Sequence, residues 1–354
     1  MSIKRSLTSI RPAKFILIAG LLLAILIIIA LFAVRRYLFS PILNIPNGKT
    51  ELLYIPSNAN FDDVLLLLDS KKLLADKDAF CTVATFMGYK SLVKSGCYEL
   101  LPSMSARSLV QTLRAGAQKP VKVTFNNVRS LNALAGQVAL YIEPDSAALL
   151  RAMSDTATLI GWGIQPSHAS IIYLPDSYQL YWNISPEGFV DRMHKEYLKF
   201  WNDTRRHKAD SLNLSPADVS TLASIVQEES NKPDDQRRIA SVYLNRLRIN
   251  MPLQACPTVK YALGDFSIRR VTNADALVDS PYNTYLHQGL PPGPIRITSK
   301  SVIDAVLNAD DTDFLFFCAR PDGSGYHDFA RTLAQHNRNA ARYHSHLNNR
   351  KIYR

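Results

Sequence analysis

Residues 215–230 read SPADVSTLASIVQEES, and this stretch decides how the second half of the chain is read. Ser215 can cap a helix, Pro216 suits its first turn, and Asp218 favours the positive helix end. Behind that start, Leu222, Ile225 and Val226 fall on one helical stripe. The next position on the stripe is Glu229, seven residues after Leu222 and so almost directly above it. Glu228 and Gln227 are rotated away by about 100° and about 200°, which predicts solvent-side polar residues. Glu229 is therefore a carboxylate on an otherwise apolar face. Such a setting disfavours the ionised form and raises the pKa. A carboxyl group that keeps its proton can donate it to a leaving oxygen, the first requirement for cutting a glycosidic bond. The competing reading is a salt-bridged or helix-end glutamate.

Downstream of this helix the chain is rich in polar and aromatic side chains that a cleft can use. Asp234 and Asp235 start a second helix, with Ile239, Val242 and Leu247 inward and Asn245 beside them. MPLQACPTVKYALG supplies Gln254, Thr258 and Tyr261. YNTYLHQGLPPGPI supplies Tyr282, Asn283, Thr284 and Tyr285 before a stiff Gly-Pro loop. Tyrosine faces stack on sugar rings, and amide and hydroxyl groups bond to sugar hydroxyl and acetamido groups. These eight residues are the candidate substrate contacts, with a structural role as the alternative for each. His287, His327 and His336 lack metal-site spacing, so no metal and no cofactor are expected.

At the other end, residues 15–34 read FILIAGLLLAILIIIALFAV, twenty residues without a charge. A helix of that length spans about 30 Å, the thickness of a bilayer core. A cleaved signal peptide would have a shorter apolar core and a small-residue cleavage site. Arg35 and Arg36 close this run instead, which favours a retained single-pass anchor. Four basic residues precede it, favouring a cytoplasmic N-terminus over residues 1–14. Cys81, Cys97, Cys256 and Cys318 then lie outside the cytoplasm, where Cys81–Cys97 pairing, Cys256–Cys318 pairing if the fold brings them together, and buried free thiols are all open.

Between anchor and helix, residues 35–50 contain two prolines and turn formers and read as a linker. Residues 51–125 read as a small α/β domain. Its strands are expected at 52–55, 97–101 and 121–125, and its helices begin after Ser57–Asn60 and at Ser103. Residues 126–354 form a larger α+β domain with helices at 131–141, 146–153 and 186–200. Pro175-Asp176 marks a turn, and the basic cluster at 205–208 reads as a solvated loop.

Composition supports a packed protein, with 47% hydrophobic and 20% charged residues over 354 positions. The net charge of +11 is uneven: six of the lysines and arginines and no acid lie in 1–36, so the rest carries only about +5. No basic stripe with interleaved aromatics appears, and nucleic-acid binding has no support.

The blocks LASIVQEES (222–230), ASVYLNRLRINMPLQACPTVKYALG (240–264), YNTYLHQGLPPGPI (282–295) and GYHDFARTLAQHN (325–337) resemble the YceG-like family of endolytic murein transglycosylases. SGCYELLPSMSARSLVQTLRAG (95–116) more loosely resembles that family's LysM-like portion. The resemblance implies a membrane helix, a LysM-like domain and a catalytic domain, in that order. It also implies cleavage of the β-1,4 bond between N-acetylmuramic acid and N-acetylglucosamine within peptidoglycan strands, leaving 1,6-anhydro ends and ending strand elongation. The family's catalytic glutamate falls on Glu229. Cell-wall synthases are implied as partners, beside glycan strands and the cytoplasmic membrane. Three acids of the family pattern are absent here: Gln227 replaces one, Cys256 stands where the family often has aspartate, and the family's earlier Glu-Gly is missing, with Ser170-Ile171 preceding Pro175-Asp176-Ser177-Tyr178. The alternatives to a lytic transglycosylase are a muramidase using water on the same site and a non-catalytic peptidoglycan-binding scaffold.

Overall fold

The computed structural model describes residues 12–46, 48–268 and 270–349. Most of the expected cytoplasmic tail, 1–14, lies outside the described residues, as does the extreme C-terminus. The chain is a mixed α+β protein, mostly helical, with three two-stranded sheets among the described residues.

Helix α1 (Pro12–Phe39) carries the apolar run. Within its segment Ile16–Phe39, the most apolar eighteen-residue window has a mean hydropathy of 3.3 and packs against nothing. By length and composition it suffices to cross a membrane, as an anchor or as a signal sequence.

The chain divides into two compact units. The first holds the described residues through Val121 together with Leu180–Asn183. It contains β1 (Glu51–Ile55), α2 (Phe61–Ser70), α3 (Lys77–Phe86), β2 (Gly96–Leu100) and α4 (Ala106–Ala115). β1 and β2 pair antiparallel, with Leu53 opposite Tyr98 and Ile55 opposite Gly96. Alternation places Leu53, Ile55, Tyr98 and Leu100 inside, where α2 lays Phe61, Val64 and Leu68 over them. Asn60 and Asp63 form a reciprocal capping box at the start of α2. Gly116, at φ 72°, ends α4 in the left-handed conformation that glycine adopts without steric cost. The segment expected as a linker instead contributes Ile42, Leu43 and Ile45 to this core. Each is an apolar side chain in a proline-punctuated stretch. Burial gains about 1.5–3 kcal/mol per side chain, which outweighs the stretch's weak local preference.

The second unit comprises the described residues of 122–179 and 184–354. Its elements are β3 (Val121–Phe125), α5 (Leu131–Val138), α6 (Ser146–Met153), α7 (Thr156–Gly161), β4 (Asp176–Leu180), α8 (Pro186–Phe200) and α9 (Asp203–Ser211). They continue with α10 (Pro216–Glu229), α11 (Pro233–Arg248), α12 (Cys256–Leu263), α13 (Lys300–Leu307), β5 (Phe316–Ala319), β6 (His327–Ala330) and α14 (Leu333–Asn349). α10, α11 and α13 pack on one another around Leu222, Ile225, Val226, Ile239, Val242, Val302 and Val306, all buried.

Two local expectations are corrected. The basic cluster at 205–208 is helical: Asn202 caps α9, and Arg205 makes a bidentate bond to Asp304 at 2.7 and 3.0 Å. The turn at Pro175-Asp176 opens directly into β4, which pairs with β3. All four cysteines are free, Cys97 buried and the others half-buried.

Candidate functional site

α10 delivers the site. Ser215 and Asp218 close a capping box at its start, with Pro216 in the first turn. Val219, Leu222, Ala223, Ile225 and Val226 are fully buried, so the helix is clamped and its last turn has a fixed orientation. That turn carries Gln227, Glu228 and Glu229 into the wall of a cavity of about 560 Å³. Asn127, Arg129, Ser230, Asn231, Lys232 and Arg296 complete its polar lining.

Glu229 keeps partial solvent contact through the cavity while protein packs densely around its carboxyl group. This burial pushes its pKa up; a hydrogen bond from Tyr243 and the charges of His327 and Lys260 pull back, and Glu228 adds to the rise. The net direction is upward. The residue also ends its helix, where the macrodipole disfavours a negative charge. Tyr243 on α11 donates its hydroxyl to Glu229 Oε1 at 2.8 Å. The ring of Tyr243 meets Phe317 edge-on, at 5.6 Å between centroids.

Glu228 does not face solvent as the helical spacing predicts. One carboxylate oxygen is ion-paired to Arg296, and the other accepts from Arg129 at 2.9 Å. Arg296, only 6% exposed, also bonds Asn127. The Arg129 guanidinium lies 4.3 Å from the ring centre of Phe266. Gln227 is likewise engaged, its Oε1 accepting from the Ser299 backbone at 2.8 Å. The helical wheel placed both residues away from the apolar stripe correctly. It could not show that Arg296 and the turn before α13 cover that side.

Asp235, read as a turn residue near the second helix start, is fully buried. It accepts from His327 Nδ1 at 2.6 Å and from the His327 backbone N–H at 3.3 Å. Burial acts to raise its pKa, but His327 and Ser230 outweigh it and hold the carboxyl below its usual value.

The eight candidate substrate contacts separate into two groups. Asn245, Thr258, Asn283 and Thr284 are buried and spend their polar atoms internally. The amide of Asn245 donates to the carbonyls of Thr312 (2.7 Å) and Phe314 (3.0 Å). Asn245 borders a different cavity, with Arg248, Thr312 and Phe314. Asn283 donates to the carbonyls of Ala276 and Val278. Thr258 and Thr284 bond each other at 2.9 Å. Thr258, Asn283 and Thr284 hold together the loops after α11 and α12, and Asn245 ties α11 to the loop after α13.

The remaining four reach the surface. Gln254 is exposed, at φ 48°, with its backbone N–H bonded to Thr284. Tyr261 and Tyr282 pack ring on ring at 4.7 Å, and burial pushes the Tyr282 hydroxyl up to about 12. Burial pushes the Tyr285 pKa up, with Cys256 and then the charge of Glu229 adding to the rise, and its hydroxyl contacts Cys256 Sγ at 3.2 Å.

Sequence reasoning gave no role to Tyr243, Arg129, Arg296 or Lys232. Tyr243 left one signal: it follows Ile239 by four on the inward face of α11, and a buried phenol needs a partner. The arginines left none, since their partner Glu228 lies far away in the sequence.

In sum, the site offers one cavity-facing carboxyl group poised to hold a proton, and a second carboxylate neutralised by two guanidinium groups. Among known proteins, the chain is 29% identical over 316 residues to an endolytic murein transglycosylase of Bacillus subtilis, covering 84% of this chain and 86% of that protein. It is 28% identical over 323 residues to an endolytic murein transglycosylase of Streptococcus pneumoniae, covering 82% of this chain but 57% of that longer protein. A crystal structure of a yceG-like protein from Listeria monocytogenes superposes with a TM-score of 0.54 at 29% identity, covering 82% of this chain and 99% of that one. The sequence pattern of one family runs through residues 53–342, across both compact units, and the chain belongs to that family, the YceG-like family.

Proposed function

We propose that this protein is a membrane-anchored endolytic lytic transglycosylase of peptidoglycan, with Glu229 as its acid and base. The observation that carries the reading is the contrast within one cavity wall. Glu229 is disposed to hold a proton, while Glu228 is bound on both oxygens by Arg129 and Arg296. Protonated Glu229 gives its proton to the oxygen between N-acetylmuramic acid and N-acetylglucosamine. The C1–O bond breaks, and the muramyl 6-hydroxyl oxygen attacks C1. Glu229, now a carboxylate, takes the hydroxyl proton and returns to its starting state. One glycosidic bond is lost, one 1,6-anhydro bond forms, and no water is consumed.

Tyr243 fixes Oε1 and leaves the other carboxyl oxygen for the proton. A hydrolytic route needs a second carboxylate free to activate water or to attack the sugar. Glu228 is unsuited to either task because both of its oxygens are engaged. The names of the bacillary and pneumococcal relatives support the same substrate and reaction class.

α1 serves as a retained single-pass anchor in the cytoplasmic membrane, with the N-terminus inside and both compact units outside. The order β1-α2-α3-β2 supports a LysM-like role for the first unit in holding glycan.

Digestion of purified peptidoglycan, followed by mass analysis, tests the reading. Wild-type protein is expected to leave muramyl ends lighter by one water than a hydrolase would leave. Glu229→Gln is expected to leave the strands intact. Reducing ends in the wild-type digest would make it a muramidase. No cleavage by wild type would leave the scaffold reading.

A further inference from the structure

The sugars of a peptidoglycan strand are uncharged, yet the cavity beside Glu229 is lined by three cations, Arg129, Lys232 and Arg296. Glu228 is the counter-ion of the two arginines. Two guanidinium charges against one carboxylate leave an excess of one. Among the described residues Lys232 makes no ion pair. Its ammonium lies 5.6 Å from the ring centre of Tyr326, a contact that steadies a cation without neutralising it. Lys232 is half-buried, so part of its hydration is already lost. With Glu229 protonated, the wall carries about two uncompensated positive charges.

Neutral sugars give no return for that desolvation. An anionic group entering the cavity would. In peptidoglycan the anionic groups are the free carboxylates of the peptide stem, which hangs from the muramyl ring whose C1 is cut. We infer that Lys232 and the exposed edge of Arg129 form a carboxylate-reading subsite that selects glycan strands bearing peptide stems with free carboxylates. The inference rests on the peptidoglycan reading above and goes beyond it to the part of the substrate being read. Arg296 is excluded as a reader, because it is buried and committed to Glu228 and Asn127. Lys260 is the lysine that acts on the Glu229 carboxyl group, so binding and proton transfer use different cations.

The test uses the full-length chain in detergent and three forms of one glycan preparation. The first carries its stems with free carboxylates, the second has those carboxylates amidated, and the third has been stripped of stems by an amidase and its newly freed lactyl carboxylates amidated. Binding and cleavage are measured separately. Wild type is expected to bind and cleave the first about five- to tenfold better than the other two, with the preference shrinking as salt rises. Lys232→Gln is expected to lose most of that preference. Lys195→Gln removes an exposed lysine of α8 and is expected to keep it.

Equal binding of all three forms by wild type would overturn the inference, as would an undiminished preference in Lys232→Gln. A binding preference without any cleavage would overturn the transglycosylase reading and leave the subsite standing.

Discussion

The end of α10 and the start of α11 each bury a carboxyl group, six residues apart, and treat them in opposite ways. Glu229 has one hydrogen-bond donor, Tyr243, and burial wins: its proton is held more tightly than in water. Asp235 exposes no surface to solvent, yet its proton is held less tightly. The His327 ring and backbone N–H, with Ser230, supply what water would have supplied. Burial alone therefore does not make an acid. What decides is how many donors the fold aims at the carboxylate after water is removed. Glu229 is left short of donors at the wall of a cavity, the arrangement that proton transfer to a bound ligand requires. Asp235 is saturated and out of reach, and its use is to tie α11 to β6.

The sharpest way to break this comparison is to turn each acid into its amide. Glu229→Gln is expected to lower strand cleavage by roughly 10²–10⁴-fold, the usual share of a general acid and base. Residual activity within tenfold of wild type, read by release of anhydro-muramyl fragments, would remove Glu229 from the chemistry. Asp235→Asn is expected to cost about 2 kcal/mol of folding stability, the range for a hydrogen bond to a charged group. Its sign with pH follows from the lowered folded-state pKa. The contribution is present above the unfolded value and is lost as pH falls through the folded value. Thermal melts should therefore show a deficit at pH 7 that narrows in acid. A deficit constant from pH 3 to pH 7 would mean that the Asp235 charge is not what matters.

The apolar stripe of α10 was enough to single out Glu229, because helical periodicity is local and reads directly from Leu222, Ile225 and Val226. The same wheel misjudged Glu228 and Gln227. A wheel gives direction, but what lies in that direction comes from Arg129, Arg296 and Ser299, far off in the chain. The caps at Ser215 and Asn60 were legible for the same local reason, whereas the helix expected from Ser103 starts only after its cap at Ser105. The linker prolines misled, since apolar Ile42, Leu43 and Ile45 needed only a nearby core to bury them. Asn283 and Thr284 looked like sugar contacts by residue type alone. Residue type cannot distinguish a side chain turned toward a ligand from one already satisfied by the carbonyls of Ala276 and Val278.

The two acids should also differ in the sign of their effect on stability. The raised folded-state pKa of Glu229 contributes stability that is fully present below the unfolded value and is lost as pH rises through the folded value. At pH 8 the wild-type chain thus carries a penalty that the amide lacks. Glu229→Gln is expected to gain about 1 kcal/mol there, the usual size of a stability–activity trade-off, and little at pH 4. A lower melting temperature for Glu229→Gln at pH 8 would show that the carboxylate is better satisfied than its surroundings indicate.

The smallest effect probes the single donor. In Tyr243→Phe the ring can keep its edge contact with Phe317, and only the hydroxyl is lost. That hydrogen bond is the largest influence lowering the Glu229 pKa, so its removal lets burial raise the value further. Donation needs the protonated form, and activity therefore falls as pH rises through this pKa. The alkaline limb of the pH–activity profile should move to higher pH, while the rate at the optimum drops by about threefold as the carboxyl group loses its anchor. A limb that stays in place would make Tyr243 a packing residue. A loss of a hundredfold or more would place its hydroxyl in the proton transfer itself. Either result would remove the claim that one donor, against three at Asp235, is what separates the two carboxyl groups.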